Sequence, residues 1–210
     1  MDLGRLHVII DVGPSCPDPF EFARSVVHGG APVVQIRAKG VTDRVAYTAA
    51  HRIAEFCRSH GVLCIVNDRP DLALAVGADG CHVGEHDLAV PVVRSLLGVG
   101  AIVGGTARNP LSAAQHQRDG ATYVGVGPVY STSSKSGLPD PIGVDMMRAV
   151  AEAVDIAVIA ISGVTLERIP ELIRAGAYGV AVIGAVARAD DPCAMTARFV
   201  ETINEAVGAS

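Results

Sequence analysis

Along this chain, short apolar runs rich in Val and Ile alternate with longer stretches in which apolar residues return every three or four positions. The first pattern suits strands buried on both faces, and the second suits helices buried on one. The first predicted strand is Leu6–Val12, closed by Gly13-Pro14, with a helix over Pro19–His28. Pro32–Arg37 is the second strand. Thr42 or Asp43 then caps a long helix to about His60, with Val45, Ala49, Ile53 and Phe56/Cys57 on its apolar face. Val62–Val66, the helix Asp71–Val76, Gly80–Val83 and the helix Leu88–Leu97 come next, with Asp71 expected as the N-cap of its helix. Ala101–Gly104 precedes the helix Leu111–Arg118, and Tyr123–Val126 precedes the helix Val144–Val154. Ile156–Ile161, the helix Leu166–Arg174, Gly179–Ile183 and the helix Pro192–Val207 close the series.

Eight strands thus alternate with eight helices. A loose repeat supports the unit: Gly29-Gly30-Ala31, Gly77-Ala78-Asp79, Gly100-Ala101, Gly120-Ala121-Thr122 and Gly176-Ala177-Tyr178 each stand between a helix and the next strand. Glycine there acts as a helix C-cap in a repeating right-handed βα unit. The expectation is an α/β protein, a (β/α)8 TIM barrel, with residues 1–210 as one domain. An open doubly wound sheet is the rival, but Gly13-Pro14-Ser15-Cys16-Pro17 is no G-x-G-x-x-G fingerprint.

Composition narrows the function. The chain is 50% hydrophobic but only 4% aromatic and has no Trp, so the core must be mostly Val, Ile, Leu and Ala. A net charge of −5 without a Lys/Arg cluster argues against nucleic acid as partner. No apolar run is long enough to span a bilayer, and no signal peptide is evident, so no membrane partner is expected. Cys16, Cys57, Cys64, Cys81 and Cys193 are scattered and form no C-x-x-C. They read as small hydrophobes in a reducing cytoplasm, not as zinc ligands or disulfides. Oligomeric state is not encoded in any motif, which leaves a homo-oligomer open.

In a barrel, the residues at the C-terminal strand ends build the site. Here they are Gln35, Arg37 and Lys39; Asn67-Asp68; Gly84 to Asp87; Thr106 with Arg108; Ser162-Gly163; and Gly184. The sixth strand runs on into Tyr130–Gly137, which crowds hydroxyls around Lys135. That loop is either a solvated Ser/Thr surface or a grip for a phosphorylated small molecule. Asp68 and Asp87 on adjacent strands suit Mg²⁺, which is held by few carboxylates and by substrate phosphates. The alternatives are a turn residue for Asp68 and a helix N-cap for Asp87. Arg37, Lys39 and Lys135 would hold a diphosphate and stabilise it as it leaves. Gln35 can pair with a nitrogen heterocycle, and Gly163 and Gly184 lie where barrels often bind phosphate. His82 reads as a hydrogen-bonded core histidine. No Ser-His-Asp or Cys-His set is evident, so covalent nucleophilic catalysis is not indicated.

The blocks Val34–Lys39, Val66–Leu74, Gly77–Asp87, Gly120–Lys135 and Gly176–Val186 together resemble the thiamine-phosphate synthase and thiazole tautomerase superfamily, in order and along nearly the whole chain. The synthase branch is the better match. The resemblance implies a TIM barrel that joins hydroxymethylpyrimidine diphosphate to hydroxyethylthiazole phosphate by dissociative loss of diphosphate. It implies that Gln35, Arg37, Lys39 and Asn67 hold the pyrimidine diphosphate and that Asp68 and Asp87 ligate Mg²⁺. It places Thr106 and Lys135 with Arg37 around the departing diphosphate. Thr132, Ser134, Gly163, Ile183 and Gly184 would hold the thiazole phosphate. Thr106 stands where the family has Ser, Glu85 where it has Gln, Ser162 where it has Gly, and Gly184 where it has Ser. The tautomerase branch carries His where Arg108 stands. A non-catalytic phosphate-ligand binder is the alternative outside enzymes.

Overall fold

A computed structural model describes residues 3–132 and 139–209. Its strands are β1 (Leu6–Asp11), β2 (Val33–Arg37), β3 (Leu63–Asn67), β4 (Gly80–Val83), β5 (Ile102–Ala107), β6 (Tyr123–Val126), β7 (Ala157–Ile161) and β8 (Gly179–Val182). The connecting helices are α1 (Pro19–His28), α2 (Asp43–Ser59), α3 (Pro70–Val76), α4 (Val90–Leu97), α5 (Pro110–Arg118), α6 (Gly143–Glu152) and α7 (Ile169–Arg174). A short α8 (Gly184–Ala187) and a long α9 (Pro192–Gly208) follow β8. The strands close a barrel in sequence order, and all pairings are parallel. Closure is made by β1 on β8, where Leu6 pairs with Val180 and Val8 with Val182. The expected (β/α)8 barrel is what forms.

The strands look uniformly apolar because both their faces are buried, against different partners. One set, including Val8, Val34, Val66, Val103, Val124, Val158 and Val180, packs outward against the helices. The alternate set, including Ile9, Val33, Ile65, Ile102, Tyr123, Ile159 and Ala181, fills the barrel interior. This is the period of two expected of a strand. Continuing the inner set by two or four residues toward the C-terminal rim reaches Arg37, Asn67, Thr106, Ile161 and Ile183, all of which line a cavity at that end.

Local rules explain most boundaries. Thr42 Oγ1 accepts from Val45 N at 3.5 Å to start α2. Gly77, at φ 63°, ends α3 in the left-handed conformation that glycine adopts without strain.

Several expectations shift. The buried stripe of α2 is Ala46, Ala50, Ile53, Ala54 and Cys57, whereas Val45 is exposed. Small alanines let the helix lie close to the barrel, and the larger Val turns outward. α3 begins at Pro70, so Asp71 lies in its first turn, paired with Arg69 at 2.6 Å instead of capping. α4 begins at Val90 with Ala89 as its N-cap, which removes the capping role for Asp87. Gly98 rather than Gly100 closes that helix. β5 runs on to Ala107, so Thr106 is a strand residue. β8 ends at Val182, and α8 takes up Gly184. Among the described residues no helix is long and apolar enough to cross a membrane.

Gly104 sits where inner packing is tightest. A Cβ there would overlap the Tyr123 ring and stand 2.5 Å from His82 Nδ1. Gly104→Ala should therefore destabilise the fold by about 1–3 kcal/mol through overpacking. Urea denaturation checks this; an unchanged midpoint would show that the two rings can move aside.

Candidate active site

The cavity at the C-terminal rim holds about 600 Å³, within the size range of small-molecule sites. Its floor is a chain of polar groups inside the barrel. Gln35, only 3% exposed, places Nε2 2.7 Å from His7 Nδ1 and donates to the Tyr123 hydroxyl at 3.2 Å. The His82 ring stacks on Tyr123 with centroids 5.4 Å apart, and its Nε2 lies 3.0 Å from Thr106 Oγ1. Burial, reinforced by the nearby His82, drives the His7 pKa down to about 3 and keeps that ring neutral. A neutral His7 can accept from Gln35 Nε2. With its amide donor engaged, Gln35 offers a ligand its carbonyl oxygen, the partner for an N–H of a heterocycle. Asn67 Oδ1 is buried without a hydrogen-bond partner at the same wall. An acceptor left in that state costs stability until a ligand donates to it.

Above the floor, β3 and β4 bring Asp68 and Asp87 together. Asp68 follows β3 at φ 68°, a left-handed backbone that Asp tolerates better than most residues, and its N–H donates to His82 O at 2.7 Å. Asp87 Oδ2 accepts from Gly84 N at 2.8 Å, and a Cβ on Gly84 would press on that oxygen. The two carboxyl groups lie within hydrogen-bonding reach of each other. Burial, then the Asp87 carboxyl, pushes Asp68 above the usual range against the pull of Lys39. For Asp87 burial also acts upward, but the hydrogen bond with Asp68, the Gly84 N–H and the Lys39 ammonium outweigh it and hold its pKa low. The two neighbouring acids are thus driven apart, Asp68 upward and Asp87 downward. Lys39 Nζ stands 2.9 Å from Asp68 Oδ2, supplying positive charge there. Two hard-oxygen groups with this mutual repulsion fit Mg²⁺. Among the described residues no cluster of three His, Cys, Asp or Glu forms a metal site, so water and ligand oxygens would complete the coordination.

Arg37 donates to Asp11 at 2.7 Å, a partner at the end of β1 that the sequence reading overlooked. Across the cavity, Ser162 at φ 76° and Gly163 at φ 66° follow β7, and Ile183 leads into α8 at Gly184. A Cβ on Gly163 would stand 2.6 Å from Ser131 O, so only glycine fits there. Arg168 donates to Gly163 O and lies over the Tyr130 ring, 4.1 Å from its centroid. Tyr130 is itself anchored on Glu171 at 2.9 Å.

The expected residues Gln35, Arg37, Lys39, Asn67, Asp68, Asp87, Thr106, Thr132, Gly163, Ile183 and Gly184 all line this one cavity. Ser134 and Lys135 fall outside the described residues. His82 corrects the core reading, because its ring lies on the cavity surface as well as in the packed interior. Arg108, noted at the end of the fifth strand, also lines the cavity, whereas His7, Tyr123 and Arg168 were not singled out. The available signal for His7 was a polar residue two places before the inward-facing Ile9 in an otherwise apolar strand.

Comparison with known proteins points to one family. The thiamine monophosphate synthase family pattern matches residues 6–186. A thiamine-phosphate synthase of Salinispora arenicola is 50% identical over 204 residues, covering 96% of this chain and 98% of that protein. One of Chloroflexus aurantiacus is 42% identical over 188 residues, with 89% and 87% covered. The solved thiamine phosphate pyrophosphorylase of Pyrococcus furiosus superposes with a TM-score of 0.88 at 30% identity, over 97% of both chains.

The neutral His7 sets a pH dependence. Unfolded, the ring takes a proton below about pH 6.5; folded, it resists one down to about 3. The unfolded state then binds more protons in this window, and stability falls as pH drops through it. Between pH 7 and 5 wild type should lose about 2 kcal/mol more than His7→Asn. Urea melts of both proteins at the two pH values test this; equal losses would mean His7 can charge within the fold.

Proposed function

The chain belongs to the thiamine monophosphate synthase family and is a transferase of thiamine biosynthesis, and from that premise we propose that it joins hydroxymethylpyrimidine diphosphate to hydroxyethylthiazole phosphate with Mg²⁺ at Asp68 and Asp87. The observation that carries this reading is the division of the cavity. The carboxyl pair, Arg37, Lys39 and the Gln35–Asn67 floor lie at the ends of β2 to β4, while Gly163, Ile183 and Gly184 lie at those of β7 and β8. Two phosphorylated rings can then sit in one chamber with their reacting atoms between the two halves.

The Gln35 carbonyl and Asn67 orient the pyrimidine, with Tyr123 and the stacked His82 as the apolar wall beneath. Bound Mg²⁺ would supply charge neutralisation for the diphosphate. Arg37, Lys39 and Thr106, together with Lys135, direct positive charge and donors at its oxygens. The methylene C–O bond breaks and its electron pair stays on the diphosphate. The thiazole nitrogen then gives its lone pair to the pyrimidine-methyl cation, forming the new C–N bond. No protein nucleophile is required, in keeping with a floor in which His7 and His82 are engaged by Gln35, Tyr123 and Thr106. The backbone around Gly163 and Gly184 holds the thiazole phosphate. Ser162, in a left-handed conformation beside Gly163, narrows that approach and bears on which acceptor fits.

Purified protein given both substrates and Mg²⁺ should release thiamine phosphate and diphosphate in equal amounts, and chelator should stop both. Diphosphate without thiamine phosphate would point to a different acceptor. Asp68→Ala should lower turnover at least ~100-fold while circular dichroism stays unchanged. Full activity in that variant would remove the metal assignment.

A further inference from the structure

Positive charge at the cavity mouth is unevenly neutralised. Arg37 faces Asp11 and Lys39 faces Asp68, each within 3 Å or less, at 2.7 Å and 2.9 Å. Arg108 is placed differently. It stands two residues beyond Thr106 at the end of β5, lines the cavity and is half-buried. Its Nη2 donates to the backbone carbonyl of Asp140 at 2.7 Å. Its Nε is buried with no hydrogen-bond partner. None of the ion pairs among the described residues includes it.

A guanidinium is permanently charged and carries five donors in a planar fork. A buried donor without an acceptor costs stability, and a purely structural tie to Asp140 would not require one. The arrangement suits an anion rich in acceptor oxygens. The barrel order bears on which anion. β5 adjoins β4, so Arg108 and Thr106 stand next to the strand end that carries Asp87. Gly163, after β7, is two strands away, and Gly184, after β8, is three.

We infer that Arg108 is a further catalytic residue, binding the diphosphate of the first substrate and stabilising the charge it gains on leaving. This rests on the reading of the cavity given above. As the C–O bond breaks, its electron pair stays on the diphosphate oxygen, and Arg108 meets that charge without giving up a proton. Fixed donors aimed at developing charge act most strongly where water is limited. The Asp140 carbonyl holds one edge of the guanidinium, and the fork has further donors to offer the anion.

The test uses Arg108→Gln and Arg108→Lys in the full chain, with folding checked by thermal melting. Arg108→Gln should lower kcat roughly 10- to 100-fold, as expected for loss of a charged hydrogen bond. It should weaken inhibition by inorganic diphosphate with Mg²⁺ by a similar factor and leave the KM for thiazole phosphate within about twofold. Arg108→Lys should restore part of the loss. If Arg108→Gln keeps diphosphate inhibition unchanged, or instead raises the KM for thiazole phosphate, the inference is overturned. Calorimetric titration of wild type and Arg108→Gln with Mg²⁺ and diphosphate separates this from the wider reading. A wild type that binds diphosphate more tightly than the variant but does not turn over the pyrimidine diphosphate would sink the proposed reaction and uphold Arg108 as a diphosphate ligand.

Discussion

Closure of the barrel by β1 on β8 is the constraint on which everything else depends. A closed parallel barrel has no free edge, and every strand ends on the same rim. Residues as distant in sequence as Gln35, Thr106 and Ile183 reach one cavity only because of this. Closure also divides each strand into an inner and an outer face. A one-residue slip would exchange Gln35 for Val34 inside the barrel and bury the amide against the helices.

The interior is apolar in its lower layers and polar just beneath the mouth. Ile9, Ile65, Ile102 and Ile159 fill the centre, while hydrogen bonds link His7, Gln35 and Tyr123 and the His82 ring stacks on Tyr123 alongside them. Glycines make that possible. Gly104 and Gly125 leave space for the His82 and Tyr123 rings where any Cβ would collide. A polar floor held in this way presents fixed donors and acceptors to a ligand and needs little rearrangement when one binds.

At the rim, charge governs the geometry. Asp68 and Asp87 repel, Lys39 pairs with Asp68, and Asp11 holds Arg37 in place. Arg37 and Lys39 thus have their positions set by an opposite charge, so an arriving anion meets groups already aimed. On the other side, control lies in the backbone. Ser162 and Gly163 take left-handed conformations, and the space beside Gly163 is filled by Tyr130 and Ser131. The two halves therefore recognise their ligands by different means, charge in one and close backbone approach in the other.

Much of this was legible in the sequence. Repeated apolar runs separated by amphipathic stretches and glycine caps specify alternating strands and helices, because burial and helix termination are local requirements. Polar residues at successive strand ends likewise mark a rim, and the conspicuous ones, from Gln35 to Gly184, do converge there. What remained hidden depended on neighbours distant in the chain. His7 reads as one more strand residue until Gln35 is found beside it, and Arg37 reads as a free cation until Asp11 faces it. The N-cap alternative for Asp87 dissolves once α4 starts at Val90 and leaves its carboxyl to Gly84 and Asp68. The sequence by itself determined which strands and helices form and which residues reach the rim, because periodicity and capping act over a few residues. Only the tertiary structure decided which charges are paired, which donors stay unmatched and how closely backbones approach, because those interactions act through space between strands.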